Sequence, residues 1–148
     1  MKGLILAAGN GGRLRPLTLE TPKVLLEIDG KPMINWPINA MLLAGVDEIA
    51  VVVGHNSEKV EVVLKQLYPE IRFIFNENHS KGNALSIGVA QDFMENGPFV
   101  MCMGDHPISP VIIKDILLHS CEWNILSVDY GASLPAQLND ATRVFVGD

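Results

Sequence analysis

The sequence predicts an α/β protein of three layers, a mostly parallel sheet covered by helices on both faces. Short strand-like runs at Leu4 to Leu6, Glu48 to Gly54, Ile71 to Phe75, Phe99 to Met103 and Asn124 to Val128 alternate with helix-length segments of 3.6-residue periodicity. The runs are almost continuously apolar, as strands buried on both faces are. The segments between them are long enough for right-handed crossovers between parallel strands. At 148 residues the chain is one domain's worth, residues 1–148, with room for one substantial core.

Taken in order, the first strand breaks into a loop carrying Gly9, Gly11, Gly12, Arg13 and Arg15 before Thr21, Pro22 and Lys23. Val24 to Ile28 reads as a short extended segment and Asp29 to Gly30 as a turn. Pro32 suits the first position of a helix that carries Met33, Ile34, Ile38, Met41 and Leu42 on one face. Pro37 kinks its first turns or delays its start to about Trp36, itself read as core. Glu48 to Gly54 is the second strand. Ser57 caps the next helix, with Glu58 and Glu61 in its acidic first turn and Val60, Val63, Leu64 and Leu67 turned inward, and Pro69 stops it. Ile71 to Phe75 is the third strand. The loop from Asn76, through Gly82 and Asn83, leads into a helix whose apolar positions are Leu85, Val89 and Phe93, with Gly88 marking close packing. Phe99 to Met103, the fourth strand, ends abruptly at Gly104, Asp105, His106 and Pro107. Ser109 and Pro110 open a helix with Val111, Ile112, Ile116 and Leu117 inward. Asn124 to Val128 is a fifth strand, Gly131 to Thr142 a polar loop and Arg143 to Val146 a last extended fragment.

Composition narrows the function. Apolar content of 48% with 19% charged residues describes a compact globule and excludes disorder. No apolar run reaches the roughly 18 residues of a membrane helix. The amino terminus enters a strand with no signal-peptide pattern, so a cytoplasmic protein without a membrane segment is expected. Cys102 and Cys121 lack paired metal spacing and read as reduced core thiols. Residues 1–31 carry five cations against three carboxylates, which leaves −8 for the rest of a chain of net charge −6. A basic lip on an acidic body suits a small anionic ligand and argues against a nucleic acid track.

The glycine loop supplies the anion site. Gly9, Gly11 and Gly12 let backbone N–H groups approach a ligand, and Arg13 adds a guanidinium fork for phosphate oxygens. Lys23 adds a compact charge beside the rigid Pro22. A mobile loop with solvated charges is the alternative. The Walker pattern is absent, and so is the dinucleotide fingerprint, since Gly9, Gly11 and Gly12 are followed by Arg13 and Leu14. Open parallel sheets bind ligands at the carboxyl ends of their strands. The loop after the first strand and Asp105 after the fourth share that edge, which turns Asp105 toward the phosphates. The competing reading of Asp105 is a turn or cap residue. His106 reads as a surface loop residue, and His55, His79 and His119 show no ligand spacing.

The run AAGNGGRLRPLT, followed by TPK and GKPMI, resembles the sugar-phosphate nucleotidyltransferase family, and the resemblance covers essentially all 148 residues. It implies a Rossmann-like fold of the nucleotide-diphospho-sugar transferase type. It also implies transfer of a nucleotidyl group from a nucleoside triphosphate to a phosphorylated sugar or polyol, with release of pyrophosphate. The backbone at Leu6, Ala7 and Ala8 would meet the base; Gly11, Gly12, Arg13 and Lys23 would hold the triphosphate; Asp105 would be a Mg²⁺ ligand. Catalysis would then rest on positioning and on charge neutralisation by Arg13, Lys23 and the metal. Gly82 and Asn83 resemble the family's second base-contact segment. Glu77 lies near where uridylyl and thymidylyl members often place a glutamine, and a carboxylate accepts from the amino group of cytosine, which favours CTP. SKGNALS, MGDHPIS and NDATRV look closest to the CTP:inositol-1-phosphate cytidylyltransferases. Uridylyl, thymidylyl and guanylyl transfer stay open.

The chain departs from the family at two points. Gly12 stands where a Ser or Thr is common, replacing a hydroxyl by a backbone N–H alone. The later part of the family, which supplies the acceptor pocket, a phosphate-binding lysine and a second metal-binding aspartate, has no counterpart here. The resemblance therefore also allows a nucleotide-binding fragment or pseudoenzyme without turnover. An open sheet edge would favour a homo-oligomer.

Overall fold

The computed structural model describes residues 1–95, 97–119, 124–129, 131 and 144. β1 (Lys2–Ala7) runs into a 3-10 turn at Gly12–Leu14 and a second at Lys23–Leu25. β2 (Glu27–Ile28) and β3 (Lys31–Pro32) form a small antiparallel hairpin. Its two-residue turn has Asp29 and Gly30 both at positive φ, 53° and 69°, the mirror-image turn that Asp-Gly favours. Then follow α1 (Asn35–Leu43), β4 (Glu48–Val53), α2 (Ser57–Leu67), β5 (Arg72–Phe75), α3 (Asn83–Gly88), α4 (Gln91–Met94), β6 (Phe99–Met103) and α5 (Pro110–His119).

The main sheet has the order β5-β4-β1-β6, and all of its pairings are parallel. β1 is central, with Leu4 opposite Ala50 on one side and Met101 on the other. Its side chains alternate between two apolar layers. Ile5 and Ala7 join Val51, Val53, Ile34, Ile38, Met41, Val60, Leu64 and Ile113, the layer under α1, α2 and α5. Leu4 and Leu6 join Ala50, Val52, Ala90 and Phe93, the layer under α3 and α4. Both faces of these strands are therefore dry, which is why β1 and β4 read as unbroken apolar runs.

Pro37 is tolerated because it falls in the first turn of α1, where the amide has no partner within the helix. The helix starts at Asn35, near the delayed start predicted. Cys102 is half-buried and has no disulfide partner among the described residues. Burial pushes its thiol up to about 11, so it stays protonated at neutral pH, as a core thiol does. Cys121 lies outside the described residues. Among the described residues no helix is long and apolar enough to cross a membrane.

Several expected inward faces are corrected. In α5 the buried residue is Ile113, at 0% exposure, while Val111 and Ile112 are 68% and 40% exposed. The helix packs beside α1, and Ile113, with Leu117 partly buried, is what it contributes to the core layer there. The helix predicted through Leu85, Val89 and Phe93 is two short pieces. It buries Ser86, Ala90 and Phe93, whereas Leu85 and Val89 are each 42% exposed and nothing crowds Gly88. Small residues face the sheet there, since α3 runs close to β1. Leu67, at the end of α2, is 48% exposed. The fifth strand is not observed. Residues 124–129 lie outside any regular element and are exposed, because a strand exists only where a neighbour completes its ladder. Apart from Gly131 and Val144, the loop and last fragment predicted beyond it lie outside the described residues.

The corrected face of α5 is open to test by urea denaturation. Ile113→Ala is expected to cost about 2–5 kcal/mol. Val111→Ala, two residues away, should stay within about 0.5 kcal/mol of wild type.

Candidate functional site

The loop after β1 is shaped by one glycine. Gly11 has φ 62°, and a Cβ there would stand 3.0 Å from Thr18 Cγ2 and 3.1 Å from Lys23 Cβ. Only glycine meets both demands without strain. The Gly11 carbonyl accepts from Thr18 Oγ1 at 2.8 Å and from the Leu14 N–H at 2.9 Å, which pins the loop back on itself. Gly9 and Gly12 are exposed and uncrowded, so the serine or threonine common in the family at position 12 would fit here too. The Gly12 N–H donates to Asn10 Oδ1 at 3.1 Å. Arg13 is exposed within the 3-10 turn that follows.

The other half of the site comes from β6. Its end is drawn to β1 by the Gly104 N–H, which donates to the Leu6 carbonyl at 2.8 Å. A Cβ on Gly104 would lie 3.1 Å from that oxygen, so the approach requires glycine. This delivers Asp105 to the loop, where Lys23 Nζ donates to Asp105 Oδ2. The pair is largely enclosed, with side chains 28% and 20% exposed. Asp105 Oδ1 is buried with no hydrogen-bond partner among the described residues, and exposed His106 holds Nε2 at 3.8 Å from it. Burial by itself raises the Asp105 carboxyl. The hydrogen bond and charge of Lys23, with His106 and the residue's own backbone, more than offset this and hold it below the ordinary 3.8.

An unpartnered, buried carboxylate oxygen is the kind of hard donor a magnesium ion takes, alongside phosphate oxygens and waters. Among the described residues there is no group of three or more His, Cys, Asp or Glu that could hold a metal by itself. The donor set therefore fits a cation shared with a phosphate ligand and not a closed protein cage.

Leu6, Ala7 and Ala8 form the floor beside this pair, with side chains buried in the core and only backbone left to offer. The loop after β5 forms the far wall. A Cβ on Gly54 would lie 2.5 Å from His79 Cβ, so that loop is seated directly on the end of β4. The rings of His55 and His79 lie 6.0 Å apart, centroid to centroid. Glu77, Gly82 and Asn83 are all exposed on this loop. Sequence reasoning missed what holds it. Asn76 is fully buried; its Nδ2 donates to Ser86 Oγ at 2.9 Å and its Oδ1 accepts from the Asn78 N–H at 2.9 Å. The available signal was a lone amide closing an apolar strand. Thr18 was missed as a named residue although the quoted motif contains it. A cleft of about 590 Å³ lies between the Glu20 to Leu25 segment and α2, and none of the predicted site residues lines it.

The nucleotidyl transferase profile matches residues 2–120. The chain belongs to the nucleotidyl transferase family. It is 42% identical over 107 residues to a 2-aminoethylphosphonate cytidylyltransferase from Lancefieldella rimae, covering 72% of this chain and 43% of that relative. A nucleotidyl transferase from Methanothermobacter superposes with a TM-score of 0.68 at 30% identity, over 80% of this chain and 56% of its own. The inositol-1-phosphate CTP transferase from T. maritima gives a TM-score of 0.63 at 30% identity, over 70% of this chain and 43% of its own. These likenesses agree with the Rossmann-like fold of the family. The chain spans less than half the length of the curated relatives it matches, 43% and 38% of the first two.

Two outcomes follow from this geometry. Asn76→Ala leaves the Ser86 hydroxyl and the Asn78 N–H without their partner, and is expected to cost about 1–3 kcal/mol by urea denaturation. A carboxylate held low in the folded chain stabilises it above the unfolded value, and that stability is lost as pH falls through the folded value. Below about pH 4, wild type should therefore lose stability that Asp105→Asn does not, read as melting midpoints of the two proteins from about pH 6 to about pH 2.5.

Proposed function

We propose that residues 1–148 form the nucleotide-binding domain of a nucleotidyltransferase that transfers a nucleotidyl group, CMP favoured, from a nucleoside triphosphate to a phosphorylated sugar or polyol, releasing pyrophosphate. The observation that carries this is the meeting of Lys23 and Asp105 against Gly11 at the carboxyl ends of β1 and β6. Gly9, Gly11 and Gly12 cradle the triphosphate. Arg13 and Lys23 neutralise charge developing on the phosphates, where preorganised cations contribute most. Leu6, Ala7 and Ala8 present backbone to the base, which Gly82 and Asn83 flank. Asp105 would hold Mg²⁺, whose chemistry is Lewis-acid neutralisation of phosphate oxygens.

CTP is favoured by Glu77, an acceptor for the amino group of cytosine, and by the cytidylyl specificity in the names of two of the proteins compared above. Uridylyl, thymidylyl or guanylyl transfer is the alternative within the family. The exposed edge of β6, with Phe99 and Met101 42% and 43% exposed, supports self-association. A cytoplasmic location belongs to the same proposal.

The test is thermal unfolding with CTP, UTP, dTTP, GTP and ATP, each with and without Mg²⁺, on wild type and Asp105→Asn. A ligand at about 100 times its dissociation constant adds about 2.7 kcal/mol, a shift of several degrees. The expected outcome is metal-dependent stabilisation, greatest with CTP and lost in the variant. No shift with any nucleotide would defeat the proposal.

A further inference from the structure

We propose that Lys23 is a resident cation at the metal position: in the ligand-free chain its ammonium occupies Asp105, so that a divalent cation and a nucleoside triphosphate are taken up as a coupled pair. The inference rests on the nucleotide-site reading above and adds an order of events to it. Lys23 Nζ donates to Asp105 Oδ2, while Oδ1 is buried and unpartnered. The carboxylate thus has one oxygen neutralised from within the chain and one left with unmet capacity. Removing the ammonium alone would strand an enclosed anion, and breaking such a pair by removing one partner is costly. Adding a divalent cation while the ammonium stays would set like charges against each other on one carboxylate.

The loop shows the same self-satisfied state. The Gly12 N–H, a phosphate donor in the proposed complex, donates to the side-chain Oδ1 of Asn10 at 3.1 Å. Asn10 is exposed and can turn away. Lys23 is packed against Gly11, its Cβ only 3.1 Å from where a Gly11 Cβ would stand, so the root of its side chain lies beside the loop. A triphosphate in the loop gives Lys23 a new anion and releases Asp105; a divalent cation on Asp105 releases Lys23 for the phosphates. Each ligand removes the obstacle to the other, and the coupling is reciprocal.

The test uses the full chain without nucleotide and manganese(II) as probe, titrated by water-proton relaxation. Lys23→Met and Lys23→Gln should bind manganese about tenfold more tightly than wild type or better, within the usual range of coupling of roughly 5- to 150-fold. The gain should vanish in the Lys23→Met, Asp105→Asn double variant, which places the ion on Asp105. Arg15→Gln, which removes an exposed cation from the same loop, should leave the affinity unchanged; an equal gain there would mean general charge repulsion and overturn the inference. Unchanged manganese affinity in both Lys23 variants would overturn it as well. Melting curves check that the variants fold. If they do not, wild type decides by NMR of ¹⁵N-lysine side chains. CTP with Mg²⁺ should move the Lys23 ammonium signal, and a full shift with Mg²⁺ alone at the same concentration would overturn the proposal. If Lys23→Met gains manganese but no nucleotide stabilises the protein, the resident cation stands and the nucleotide reading falls. If CTP binds wild type while manganese affinity is unmoved by Lys23→Met, only the resident cation falls.

Discussion

β1 is hydrogen-bonded in parallel to β4 on one side and to β6 on the other, and the candidate site depends on that placement. A parallel sheet gathers the carboxyl ends of its strands at one edge. The glycine loop leaves from the end of β1, Gly54 closes β4, Asn76 closes β5 and Asp105 follows β6. Residues more than eighty positions apart, Lys23 and Asp105, meet there because Gly104 can approach Leu6 closely enough to hydrogen-bond it.

Two kinds of residue share the work at this edge. Gly11, Gly54 and Gly104 are shape residues; each stands where a side chain would collide with a neighbour or force strain. Thr18 and Asn76 are fastening residues, nearly or wholly buried and hydrogen-bonded, and they hold the two loops that carry the exposed Arg13, Glu77, Gly82 and Asn83. The division has a physical reason. A group that meets a ligand must stay open to solvent, so its position has to be set by others that are not.

The site in its ligand-free form is satisfied from within. Lys23 answers Asp105 and Asn10 answers Gly12, which lowers the cost of keeping charged and polar groups ready beside a core. One oxygen of Asp105 is left over. That remainder distinguishes the arrangement from a structural ion pair, in which both oxygens would be expected to find donors.

The sequence by itself determined the layers and the strands β1, β4, β5 and β6, because continuous apolar runs are local signals, whereas the β2–β3 hairpin went unread and Pro32, expected to open a helix, lies in β3. The tertiary structure decided the rest. Leu85, Val89 and Val111 looked like core positions by periodicity, yet Ala90, Ser86 and Ile113 are the ones buried, since the width of contact with the sheet and with α1 sets which face is covered. The apolar segment at residues 124–129 looked like a strand and is not one, for want of a neighbour to complete its ladder. The pairing of Lys23 with Asp105 was equally out of reach: each residue was legible as a site candidate, but only the parallel order of β1 and β6 puts one against the other.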